Sequence, residues 1–234
     1  MLNHKFLTTL ALSGFLTLGS AYANDPTPRT ISVQGNGQVM VDPNTATLQI
    51  AVETNAAQAN EAVQKNAEQM TQVVNSLKKQ LGKDDTLSTS RYNLNPVYQY
   101  DQTKQQNVLT GYQATNYVVV TTKQLDQLGK LLDSVAQAGA NRVDSLEFSH
   151  DKVSQYQQEA MTDAVADAQQ TAQVLAKAAG VNLGPVQQIQ PQQNNVVPMM
   201  AMSMAKMGAG RESTPVEPGQ LTVSMSVSMV YEID

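Results

Sequence analysis

The sequence predicts an α/β (α+β) protein with element order ββαββαβαββ, a βαβ-based mixed sheet packed against long alanine-rich helices. Three observations carry this. Residues 111–148 read as a crossover unit: Tyr112 to Thr122 is β-branched and aromatic, Lys123 to Ala138 carries leucines at helical spacing, and Arg142 to Phe148 alternates again. Two longer stretches, Ala56 to Leu81 and Asp151 to Ala179, repeat apolar residues every three and four positions. Finally, Leu221, Val223, Met225, Val227, Met229, Tyr231 and Ile233 alternate with mostly Thr and Ser, as a half-buried strand does.

Taken in order, Thr30 to Val39 begins as an alternating strand and then carries Gly35 and Gly37. GNG lacks the third glycine and the following helix of a nucleotide loop. A strand approached closely by another backbone, or bulged, is the expected reading. Asp42-Pro43-Asn44 makes a turn, and Ala46, Leu48, Ile50 and Val52 line a second strand, so the first two strands are expected to form an antiparallel hairpin. The first helix presents Ala59, Ala62, Val63, Asn66, Met70, Val73, Val74, Leu77 and Leu81 on one face and stops at Gly82. Thr86 to Tyr100 is a strand whose Pro96 assigns it to an edge or a bend. Asp101 to Asn107 is a polar loop, and Gly139-Ala140-Asn141 turns the central helix into the next strand. The second long helix, with Asp151 as its cap, shows a narrow face of Val153, Tyr156, Ala160, Ala164, Ala168, Ala172, Leu175, Ala176 and Ala179, ending at Gly180. A strand begins at Val186. Pro191 to Gly219, the least regular part, reads as a long loop or projecting arm before the last strand.

Ahead of this domain, Lys5, the apolar run Phe6 to Leu18 and Ala21-Tyr22-Ala23 have the form of a secretory signal, with cleavage expected after Ala23. Residues 24–29 are a linker. Loss of Lys5 takes the formal charge from −5 to −6, and no cysteine is present to form a disulfide. An acidic chain with 15 Lys and Arg and no Trp is a poor nucleic-acid binder. No further apolar stretch is long enough to span a membrane.

Chemistry-bearing residues are few. His150 is the one histidine beyond the signal, so a Ser-His-Asp or zinc arrangement would have to use it; a structural role is the expectation. Asp163 and Asp167 lie four apart on one helix face, as a di-acid pair would, and are expected to form its solvated side. Met199, Met200, Met202, Met204 and Met207 form a cluster that suits apolar contact with another subunit. The alternative is a soft copper(I) site or an oxidant sink.

The segments ISVQGNG (31–37), DPNTA (42–46), PVY (96–98), GYQATN (111–116), GAN (139–141) followed by Phe148, and LAKAAG (175–180) followed by Leu183-Gly184, in that order and spacing, make the chain resemble the SIMPL-domain family of exported bacterial proteins. Asn44 stands where that family usually has Asp. The resemblance makes residues 30–234 one SIMPL-like domain with a methionine-rich loop or arm at 191–219. It implies a periplasmic, non-enzymatic protein that self-associates and takes part in oxidative or envelope stress defence, with no cofactor and no catalytic residues. The final strand and the methionine arm are the expected assembly surfaces.

Overall fold

The computed structural model describes residues 29–192, 197–198 and 214–234. They form β1 (Thr30–Val41), β2 (Thr45–Ala56), α1 (Ala59–Gln80), β3 (Thr86–Asp101), β4 (Gln106–Thr122), a 3-10 turn (Leu125–Gln127), α2 (Leu128–Gln137), β5 (Arg142–Ser149), α3 (Val153–Ala179), β6 (Leu183–Gln192), the two-residue β7 (Val197–Pro198) and β8 (Leu221–Ile233). The expected order holds, with β7 added. The expected signal and linker, apart from Arg29, and the methionine cluster lie outside the described residues.

The strands divide into two antiparallel sheets rather than one mixed sheet: β3-β4-β2-β5, and β1-β8-β6 with β7 also on β8. In the first sheet β2-α1-β3 and β4-α2-β5 are interleaved, so each pair of parallel strands is separated by a strand of the other unit. This is a split βαβ arrangement. Helices α1 and α2 cover one face. Leu48, Ile50, Val52, Val118 and Val120 meet Met70, Val73 and Leu77 of α1 and Leu128, Leu131 and Val135 of α2. Val63, expected on the apolar face of α1, falls outside the buried set, which is Ala62, Asn66, Met70, Val73 and Leu77.

The expected β1–β2 hairpin does not form. β1 pairs along its whole length with β8, from Thr30↔Glu232 to Val41↔Leu221, while β2 pairs with β4 and β5. Side-chain size explains the separation. β2 offers leucine- and valine-sized groups to its helices, whereas β1 offers glycines, and a helix on glycine must lie much nearer the sheet than one on leucine. A Cβ at Gly35 would stand 2.0 Å from the Ala164 carbonyl oxygen, and one at Gly37 would stand 1.9 Å from that of Ala160. Ala160, Ala164, Ala168, Ala172 and Ala176 of α3 are all buried, at i→i+4 spacing. The β1–β8 ladder has no register shift, so the glycines serve close approach and not a bulge. Leu175 falls beside this stripe and is 45% exposed. Gly180 then ends α3 with φ 73°, the left-handed value that suits glycine.

Candidate interaction surface

Two of the side chains that could carry chemistry, His150 and Asp167, hold backbone groups in place. His150 sits between β5 and α3, where Nδ1 accepts the Lys152 backbone N–H at 3.0 Å and the ring meets Tyr156 edge-on at 5.0 Å. Asp167 accepts the Asn36 backbone N–H at 2.9 Å, on the side of β1 away from β8. Asp163 is exposed. Among the described residues no group of three or more His, Asp or Glu side chains converges as a metal would require. Met199, Met200, Met202, Met204 and Met207 lie outside the described residues.

Asp151 is not the helix cap expected of it. Lys152 occupies the cap position and makes no side-chain bond there. Asp151 instead turns back to Asn44, which supplies both a donor and an acceptor. Asn44 Nδ2 donates to Asp151 Oδ1 at 2.8 Å, and the Asp151 N–H donates to Asn44 Oδ1 at 3.0 Å. Lys123 Nζ closes the clasp on Asp151 Oδ2 at 2.7 Å. Three turns, one from each of the β1–β2, β4–α2 and β5–α3 connections, are thereby joined. The Asn44 amide, followed by the Lys123 ammonium, holds the Asp151 carboxyl at about 2, below the usual carboxylate range. A depressed folded value means that the clasp contributes stability above the unfolded carboxylate range and loses it as the pH falls. The stability difference between the protein and Asp151→Asn is therefore expected to shrink between about pH 4 and about pH 2 and to be level above that. Denaturation midpoints across that range check it; a difference independent of pH would remove the clasp as its source.

The final strand cannot be the assembly edge that its alternation suggested. β8 lies between β1 on one side and β6 with β7 on the other. Strict alternation marks one buried and one wetter face, which central antiparallel strands also have. The uncovered apolar surface lies elsewhere. β2 stops pairing with β4 at Ala56↔Tyr112, but β3 and β4 continue as a two-stranded ribbon to Asp101↔Gln106. Pro96 to Asp101 extends it by roughly 20 Å at the usual rise of a strand. Tyr92, Leu94, Pro96, Tyr98 and Tyr100 alternate on one face of β3. A register shift between Val97 and Tyr98 leaves Thr110 as the extra residue on β4, with its hydroxyl donating to the Val97 carbonyl at 3.1 Å, and sets Leu109 opposite Tyr98. Tyr98 and Tyr100 are each 59% exposed and Leu109 is 44% exposed. From Asn93 to Thr110 the charges are Asp101 and Lys104, which pair at 3.6 Å. The ribbon is neutral in an acidic chain.

The face of the first sheet away from α1 and α2 is polar. Arg91 stacks at 4.3 Å over the Tyr117 ring, and Arg142 approaches the same ring at 5.8 Å while bonding Glu53 at 2.9 Å. Sequence reasoning missed this trio, because the register shift between Thr89 and Arg91 decides which face of β3 the arginine joins. No local pattern announces that shift.

Together these features define an α+β domain of two antiparallel sheets, with a glycine–alanine helix seat and a tyrosine-bearing ribbon of no net charge. The chain belongs to the SIMPL family, described as a protein of unknown function (DUF541), whose model matches residues 31–231. It is 32% identical to the 26 kDa periplasmic immunogenic protein of Brucella melitensis, over 98% of this chain and 95% of that one. It is 30% identical to the uncharacterized protein YggE of Escherichia coli (strain K12), over 98% of this chain and 94% of that one. An uncharacterized protein YggE of Edwardsiella ictaluri is 31% identical over 82% of each chain. None of these names is that of an enzyme. Among the described residues no helix is long and apolar enough to cross a membrane.

Proposed function

We propose that this chain acts in the periplasm as a self-associating, non-catalytic protein contributing to envelope defence against oxidative stress, and that it assembles through the β3–β4 ribbon. The observation that carries assembly is the stripe of Tyr98, Tyr100 and Leu109 on a ribbon without charge imbalance. A ribbon of two strands has little stability alone, and an uncovered apolar stripe is a contact surface. The signal-like residues 1–23 and a relative named periplasmic support the location. The stress role is what family membership suggests. The non-catalytic reading is supported by His150 and Asp167, both of which hold backbone groups in place.

Light scattering on residues 24–234 tests assembly. A discrete multimer is expected, falling in mass when Tyr98, Tyr100 and Leu109 are replaced together by serine, with the circular dichroism spectrum retained. A monomeric parent protein would overturn the reading. Deleting residues 198–210 in the same measurement separates the ribbon from the methionine segment: dissociation there, with the serine variant intact, would move the interface to the methionines.

A further inference from the structure

The described methionines do not share one environment. Met70, Met225 and Met229 are buried at 5%, 8% and 3% exposure and Met161 is half-buried, whereas Met40 of β1 is 56% exposed. Strand parity gives the reason. Val33, Gly35 and Gly37 turn toward the alanine stripe of α3, so Met40, of the opposite parity, turns to the other face of the sheet. Its cross-strand neighbour on that face is Thr222. The Asn36 N–H leaves the ladder for Asp167, which makes Asn36, and with the same parity Met40, a non-hydrogen-bonded partner of β8. In such pairs the Cα atoms stand about 4.5 Å apart and the side chains are at their closest. Thr222 is 9% exposed, and its Oγ1 has no hydrogen-bond partner among the described residues. A buried hydroxyl without an acceptor is costly, and the thioether beside it accepts only weakly. A sulfoxide is polar and offers an oxygen that accepts well.

Resting on the oxidative-defence reading above for its purpose, but on this geometry for its chemistry, we infer that Met40 is a site of reversible oxidation by peroxide, and that the Thr222 hydroxyl donates to the sulfoxide oxygen. The thioether sulfur attacks one peroxide oxygen, and the O–O bond breaks as the S–O bond forms. Sulfur gives up an electron pair and the peroxide is reduced. Its second oxygen leaves as hydroxide and becomes water by taking the proton of the first. Reductases reverse methionine sulfoxide, so the site can be used again. The new oxygen lies on the face away from α3, and the packed side of the sheet is left as it was.

Peptide mapping of residues 24–234 after brief peroxide treatment tests the site. Met40 is the sole methionine of the tryptic peptide 30–65. That peptide is expected to gain one oxygen about tenfold faster than those carrying Met70, Met225 or Met229, and the difference is expected to vanish in urea. Equal rates in the native protein overturn the site. Thr222→Val and Thr222→Ser test the hydroxyl. The shift in melting midpoint on oxidation, less that of Met40→Leu, is expected to be near zero in the parent protein and in Thr222→Ser, and downward in Thr222→Val. Equal shifts in all three remove Thr222 from the proposal. Survival of peroxide by cells with and without the protein is read separately. Protection with Met40 unoxidised overturns this inference and leaves the stress role, and oxidised Met40 without protection does the reverse.

Discussion

Gly37→Ala is expected to lower folding stability by about 3 kcal/mol, at the upper end of what overpacking of a well-filled interior costs. The added methyl would stand 1.9 Å from the Ala160 carbonyl oxygen and 2.6 Å from the Ala164 nitrogen, both of them helix backbone. No rotamer change relieves such a contact, so α3 must lift from β1 and open the whole alanine stripe. Gly180→Ala is the control. Its methyl meets nothing within 4 Å, and the penalty there is the left-handed φ of 73° alone, about 1 kcal/mol. Urea denaturation of the two variants beside the parent protein checks the difference. Equal losses would mean that close helix approach is not what the β1 glycines provide.

Asn66→Asp is expected to be the other severe change, costing about 3–5 kcal/mol near neutral pH, the range for a buried charge left without a partner. Asn66 is fully buried in α1, and its Nδ2 donates to the carbonyl oxygens of Val52 at 2.8 Å and Ala114 at 3.0 Å. An ionised carboxylate has no proton to offer either oxygen. Burial beside two carbonyls raises the folded carboxyl above its unfolded value, so the variant is least impaired at low pH. As the pH climbs above about 4 the unfolded chain ionises while the folded one does not, and the penalty grows by about 1.4 kcal/mol per pH unit until the folded carboxyl titrates. Asn66→Leu removes the same bonds without a charge, so the gap between the two variants isolates the electrostatic part. A gap that does not widen with pH would sink the explanation.

The element order was legible because most elements announce themselves locally. Alternation marks β8 from Leu221 onward, and the alanine spacing marks the buried stripe of α3 from Ala160 to Ala176, though Leu175 and Ala179, expected beside it, are exposed. What could not be read was partnership. Asp42-Pro43-Asn44 is a turn, but a turn does not state whether the strands beside it pair. Here β1 and β2 enter different sheets, because one presents glycine and the other leucine and valine to the helices above them. The strict alternation of β8 suggests an exposed edge for the same reason, since it reports faces and says nothing of neighbours. The candidate surface was hidden more deeply. Tyr98 and Tyr100 are plain in the sequence, yet their exposure depends on β2 ending before β3 and β4 do. Spacing alone places Asn66 on the apolar helix face, but not its two backbone partners, Val52 of β2 and Ala114 of β4.

The ladder that joins β1 to β8 also governs when the molecule can become itself. Every strand and helix of the first sheet lies between Thr45 and Ser149, so that half can form from one continuous run of chain. The other half begins at Thr30 but finds its central strand at Leu221–Ile233, with Thr30 set against Glu232. Closing so long a loop costs conformational entropy before any contact is gained, and distant pairings of this kind are slow. β1 is among the earliest residues of the domain to be synthesised and must wait for the last. The second sheet therefore cannot close until residues 221–233 have been made.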